Sequence, residues 1–166
     1  GPLTTNLNES GAFLKTSPHV DHPDIQLHFA TTLIRNHGRT LAYGRGVSCH
    51  VCVLRPKSKG EVRLQSPSTQ DSPLIAPCYF HDPDDSETLK KGVRLAHRIM
   101  TAPPMERLAG DLKYPVHFEN DEAFERAIRE RADTIYHPVG TCRMGSDPSS
   151  VVDPKLRVRG VDSLRI

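Results

Sequence analysis

The stretch IQLHFATTLI, residues 25–34, decides the fold class. Ile25, Leu27 and Phe29 fall on one side of an extended chain, and Gln26 and His28 fall on the other. This period-two alternation predicts a strand with one buried face. Downstream, residues 35–46 carry three glycines and three arginines (Arg35, Arg39 and Arg45) and read as a loop. VSCHVCVLR at 47–55 is β-branched and cysteine-rich, which predicts a second strand. Pro56-Lys57-Ser58-Lys59-Gly60 is a turn, after which EVRLQS at 61–66 resumes the alternation with Val62 and Leu64 inward. The pattern therefore predicts an antiparallel hairpin over 47–66. Upstream, residues 1–24 are polar and turn-rich. Residues 67–84, with four prolines, read as an irregular connection.

Two helices follow. Over 86–101, Leu89, Gly92, Val93, Ala96 and Met100 recur on one face, while Lys90, Lys91, Arg94 and Arg98 lie mostly on the rest. Asp84, Asp85 and Glu87 place negative charge at the positive end of the helix dipole. Pro103-Pro104 ends the pattern. Over 121–132, Asn120 is the expected cap and Phe124, Ala127 and Ile128 form the apolar stripe. After 134 the pattern turns to loops, with short strands expected at 151–152, 156–158 and 164–166. The predicted fold is α+β, an antiparallel sheet formed by 25–66 and these late strands, with helices packed on one face. The start lacks a Met and the last strand stops in mid-pattern. The chain thus reads as one domain, 1–166, truncated at both ends relative to a longer protein. No internal repeat is visible.

Composition narrows the function. A chain of 166 residues suits one domain with a real core. Net charge is +2, from 22 basic and 20 acidic residues, which argues against a nucleic-acid face. Nine aromatics without Trp make no stacking platform for single strands. No apolar run approaches membrane-spanning length. Cys49, Cys52, Cys78 and Cys142 are too few for a disulfide scaffold, and no secretory signal precedes them. The expectation is a cytoplasmic protein, at most peripheral to a membrane.

The segment richest in chemistry is Tyr136-His137-Pro138-Val139-Gly140-Thr141-Cys142-Arg143-Met144-Gly145. A residue before proline is held extended, so His137 stands on a stiff loop. Gly140 lets the backbone approach another group closely. An imidazole titrates near neutrality and suits a general base, although a loop histidine is also compatible with a structural or solvated role. Cys49-His50-Val51-Cys52 offers a C-x-x-C spacing, and a zinc site with His137 and Cys142 is the metal alternative. Strand alternation puts Cys49 and Cys52 on opposite faces, so no metal is expected. Gly44-Arg45-Gly46 lacks the third glycine and the helix of a dinucleotide turn. Gly140 to Gly145 has the spacing of a phosphate loop without its Lys-Ser/Thr ending.

YHPVGTCRMG followed by VVDPKLRVRGVDSLRI resembles the C-terminal signature of the glucose–methanol–choline (GMC) oxidoreductases, flavoenzymes that oxidise alcohols with FAD. IQLHF, CHVCVLRPKSKGEVRLQS and DSETLKKGVRLAHRIM are similar, in the same order, to the choline dehydrogenase and general alcohol dehydrogenase branch. The resemblance implies that His137 faces the flavin and acts on the substrate hydroxyl. It implies that His28 lines the substrate cavity, the alternative being a polar residue on the solvent face. It further implies FAD held by an N-terminal domain missing from this chain, and a small alcohol as substrate, with choline as the first candidate. A second catalytic Asn or His would follow Ile166. The isolated chain would then be inactive and free of FAD. The alternative of another class is a stand-alone binding module without catalysis.

Overall fold

The computed structural model of the chain describes residues 4, 6, 8–34, 36, 39–40, 44, 46–107 and 110–166. It divides into two compact units, Gly1–Lys59 with Tyr79–Asp133, and Gly60–Cys78 with Thr134–Ile166.

In the first unit, β1 (Ser10–Leu14), β2 (Ile25–Ala30) and β3 (Ser48–Val53) form an antiparallel sheet in the order β1-β2-β3. The alternation of IQLHF resolves as predicted for Ile25 and Leu27, whereas Phe29 is only half-buried. Ile25 and Leu27 enter the core with Ala96 of helix α1 (Pro83–Met100), joined by Ala12, Leu14, Cys49, Val51 and Val53. Gly92 lets the helix come close: a Cβ there would stand 2.6 Å from Ile25 Cδ1 and 2.8 Å from Val51 Cγ1. The opposite face of the sheet carries Gly11, Gln26, His28, His50 and Cys52 in register.

The side chain of Asp82 caps α1 by accepting from Asp84 N at 2.9 Å, with Pro83 in the first turn. A short helix α2 (Pro103–Glu106) starts on the two prolines expected to end the pattern. Helix α3 (Asp121–Arg131) is capped by Asn120, as expected, and buries Phe124 and Ile128. Phe118 stands edge-on to Phe124 at 5.1 Å, and the Arg94 guanidinium lies 4.9 Å from the Phe124 ring centre. Lys90, expected on the polar side of α1, is 6% exposed, because α3 packs over it. Its ammonium meets Glu87 at 2.8 Å, Asp121 at 2.9 Å and Glu125 at 3.1 Å. Glu87 and then Asp121 hold its pKa above the ordinary lysine value.

The second unit contains β4 (Glu61–Arg63) and β5 (Leu74–Ala76), paired antiparallel and exposed throughout. The segment 134–166 is irregular. It is stitched by the isolated bridges Met144 to Val152, Val152 to Val158 and Arg157 to Arg165, around a buried Val152.

The antiparallel sheets and packed helices fit the predicted α+β class, but three local expectations fail. First, 47–66 is not a hairpin: β3 pairs with β2, and β4 pairs with β5 inside the segment read as irregular. The turn between them is drawn aside. Asp85 accepts from Lys57 N at 2.8 Å and Ser58 N at 2.9 Å, and Ser58 Oγ accepts from Asp82 N at 3.0 Å, so the chain is tied to the start of α1. Second, β1 lies in the stretch read as turns, because only Ala12 and Leu14 point inward and Gly11 interrupts the pattern. Third, the late strands are single bridges, since Pro148 and Pro154 deprive their neighbourhood of ladder donors. Strand β2 also stops at Ala30, short of Ile34. Of the arginine loop, Arg35 and Arg45 lie outside the described residues, while Arg39 pairs with Asp133 at 3.2 Å.

Candidate functional site

Two sequence-predicted histidines occupy different surroundings. His28 sits in the middle of β2, on the sheet face away from α1. Its neighbours across the strands are His50 on β3 and Gly11 on β1. Gly11 contributes no side chain, and a Cβ there would stand 2.5 Å from Leu27 O. His28 Nε2 is sealed from solvent and has no hydrogen-bond partner among the described residues. A buried imidazole nitrogen without a partner is costly, and a polar group of a ligand would remove that cost.

His137 lies in the second unit, on an exposed loop. Its predecessor Tyr136 has φ +64°, and Tyr136 N donates to Thr134 Oγ1 at 2.9 Å. Gly140 has φ +101°, a region that favours glycine, and a Cβ there would meet nothing within 4 Å. Val139 is 94% exposed. An apolar side chain and an open glycine thus flank a histidine fixed by the following proline. The loop offers an uncovered edge rather than a packed core.

The same segment carries a cluster absent from the sequence-based expectations. The Arg143 guanidinium donates twice to Asp147, from Nη1 to Oδ2 at 2.9 Å and from Nη2 to Oδ1 at 2.8 Å. Asp147 also accepts from Ser149 N at 3.1 Å, Ser149 Oγ at 2.5 Å and Ser150 Oγ at 2.7 Å. Arg143, followed by the two serine hydroxyls, holds the carboxyl of Asp147 far below the usual carboxylate range. The backbone adds Arg143 N to Gly140 O at 3.2 Å, Val151 N to Arg143 O at 2.9 Å and Gly145 N to Val152 O at 3.0 Å. Asp153 makes a second, smaller cluster. It accepts from Arg157 N at 3.0 Å, Arg157 Nε at 2.7 Å and Lys155 N at 2.8 Å. The Arg157 backbone N–H, with the Arg157 side chain and the Lys155 N–H, lowers its pKa to about 2. The signal for both clusters was present. Asp147 and Asp153 each precede a proline and stand four residues from an arginine, and Asp147 has serines two and three residues on, a turn chemistry.

The other candidates fall into place locally. Cys49 faces the core and Cys52 the opposite side of the sheet, as alternation requires. Burial pushes both thiols upward in pKa, which makes them poor thiolates. Gly140 to Gly145 leads into irregular backbone and not into the helix a phosphate loop needs. Arg143, engaged by Asp147, is not a free anion clamp.

A family model described as GMC oxidoreductase matches residues 56–166, a span that includes the whole signature block. The chain belongs to this family. Among curated GMC relatives and similar proteins, it is 46% identical over its full length to the alcohol dehydrogenase [acceptor] of Pseudomonas putida, spanning 30% of that protein. It is 37% identical over 95% of its length to the mitochondrial choline dehydrogenase of Homo sapiens, spanning 27% of it. It is also 37% identical over its full length to the oxygen-dependent choline dehydrogenase of Brucella ovis, spanning 31%. Pyridoxine 4-oxidase from Mesorbium loti matches 96% of this GMC chain and 32% of its own, with TM-score 0.83 and 25% identity. A formate oxidase of Aspergillus oryzae, described for its FAD modification, matches with TM-score 0.79 and 27% identity over 88% of this chain and 26% of its own. The GMC chain thus spans 26% to 32% of the length of these relatives. Among the described residues, no helix is long and apolar enough to cross a membrane.

Proposed function

We propose that this chain is the substrate-side part, residues 1–166, of an FAD-dependent oxidoreductase that converts a primary alcohol to an aldehyde. The carrying observation is the geometry of the signature block. His137 is pinned by Pro138 on an exposed edge, beside an open Gly140 with φ +101°. An exposed edge with open space at Gly140 fits a flat partner such as a flavin ring, so His137, Val139 and Gly140 are the residues that would lie against it. When bound, FAD supplies the acceptor for the hydride that leaves the carbinol carbon. The imidazole of His137 receives the hydroxyl proton as the C=O bond forms. His28 orients the substrate, its buried Nε2 being the group in need of a polar partner. Choline and a general primary alcohol are the two substrate candidates, supported by the relatives' activities. The reading makes the longer protein cytoplasmic, at most peripheral to a membrane, with FAD held mainly outside this chain.

Rapid-mixing flavin reduction in the full-length protein tests this. His137→Ala is expected to slow reduction by about 10²–10⁴-fold with FAD content retained. His28→Ala should weaken apparent substrate affinity more than the limiting rate. Near-wild-type reduction by His137→Ala removes the assignment. The isolated chain should elute from gel filtration without flavin. Stoichiometric flavin there would place the cofactor site within these residues, and no flavin in the full-length protein would leave a binding module.

A further inference from the structure

Resting on the reading of His137 just given, we infer that Asp147 is a positioning residue for His137, acting by clamping Arg143 so that the signature loop keeps one conformation. Four observations carry this. Asp147 is the hub of its cluster: both carboxylate oxygens are used, by a bidentate guanidinium, two serine hydroxyls and a backbone N–H. Arg143 is the link to the loop, because its N donates to Gly140 O and its O accepts from Val151 N and Val152 N, at 2.9 and 3.3 Å. The cluster is sterically closed: a Cβ on Gly145 would stand 2.3 Å from Ser150 Oγ and 2.9 Å from Asp147 Oδ2. Finally, Arg159 Nη2 donates to Gly145 O at 2.9 Å, and Arg159 N donates to Val151 O at 3.0 Å, so the far side of the hub is fastened as well.

The consequence concerns the only long polar side chain between His137 and the hub. An arginine four residues from an aspartate could swing out to meet an anionic ligand. With both guanidinium arms held, it serves geometry. Gly140 opens the backbone, Pro138 stiffens it, and the Arg143–Asp147 clamp stops the remaining freedom at the distal end of the block. Misplacing a catalytic group by about 1 Å can lower a rate by roughly 10²-fold, so a clamp six residues from the imidazole has room to matter.

The test uses the full-length protein with FAD bound and the primary alcohol on which it is most active. Flavin reduction is followed across pH for Asp147→Ala, Asp147→Asn, Arg143→Ala, the double variant Arg143→Ala/Asp147→Ala, and Asp153→Ala as a control cluster. Asp147→Ala and Arg143→Ala are expected to reduce flavin about 10–100-fold more slowly, with KM changed less than kcat and the apparent ionisation of the rate displaced. The double variant should be no slower than either single, because both changes break one shared contact. Asp153→Ala should stay within about two-fold of wild type. If Asp147→Ala folds poorly, Asp147→Asn keeps the volume and one of the two serine-bonded oxygens, and should still show the slower rate. Rates within two-fold of wild type for the Asp147 variants overturn the inference, as do equal losses in Asp153→Ala or additive losses in the double variant. Failure of the His137 reading looks different: His137→Ala itself would then reduce flavin normally.

Discussion

In the first unit, Ile25, Leu27, Ala96, Phe124 and Ile128 are at most 7% exposed, and a helix lies against the sheet through Gly92. In the second unit, the only buried positions among the described residues are Ser150 and Val152, and the structure is carried by Asp147, Asp153 and the donors around them. One unit is a hydrophobic core with polar trim, and the other is a set of polar knots with little core. The first answers to volume and the second to charge state. A site that must stay open at its edge is built more readily by the second method, because hydrogen bonds fix a loop without burying it.

Truncating Phe124 is the hardest blow to this contrast. Phe124→Ala should destabilise the first unit by about 3–5 kcal/mol, measured by denaturant midpoint, while amide protection at Val151 and Arg159 in the second unit stays near wild type. Equal loss of protection in both would dissolve the distinction. Lys90→Met comes next. Methionine keeps the volume but leaves Glu87, Asp121 and Glu125 facing each other, at a cost of about 1–3 kcal/mol. The pKa of Lys90 is raised by folding, so its contribution is whole below the ordinary lysine value of about 10.4 and is lost as pH rises past it. The gap between wild type and Lys90→Met should therefore hold at neutral pH and close only in strong alkali. A gap that closes near pH 7 would contradict the ion-pair account.

Acid below the ordinary aspartate range has the smallest expected effect and is aimed at the second unit. Folding depresses Asp147 and Asp153, so their contribution is present above the ordinary aspartate pKa of about 3.9 and is lost as pH falls below it. For Asp153 the loss completes around pH 2. Protection at Val151 and Arg159 should fall over that window before protection in α3 does. Asp85 gives the first unit one carboxylate of the same kind. Burial pushes its pKa up, but Ser58 and the Lys57 and Ser58 N–H groups more than offset this. The start of α1 should respond with the second unit, and the Phe124 region should not.

Long periodic signals were legible without coordinates. The IQLHF alternation, the two amphipathic helices, Asn120 as a cap and the opposed faces of Cys49 and Cys52 all follow from side-chain period. Pairing partners were not legible, because register depends on distant contacts. The tie from Lys57 and Ser58 to Asp85 sends β4 to β5, and no local pattern in 47–66 encodes it. The burial of Lys90 was hidden for the same reason, since the neighbouring helix supplies two of its three carboxylates. Of the candidate residues, His137 and His28 could be singled out by motif, whereas the Asp147 hub needed hydrogen-bond geometry to separate it from an ordinary Asp-Pro turn.

Gly92 bears on how this protein can be engineered. A glycine inside an exposed helix is a standard target for stabilisation, since alanine is worth about 1 kcal/mol more in helix propensity. Here the same exchange would drive a methyl group to 2.6 Å from Ile25 Cδ1 and 2.8 Å from Val51 Cγ1, against a fully buried Ile25. The routine remedy changes sign. A consensus or propensity-guided redesign that treats α1 as an isolated helix would pry it off the sheet, and the productive substitutions lie on its solvent side, at positions such as Lys91 and Arg98.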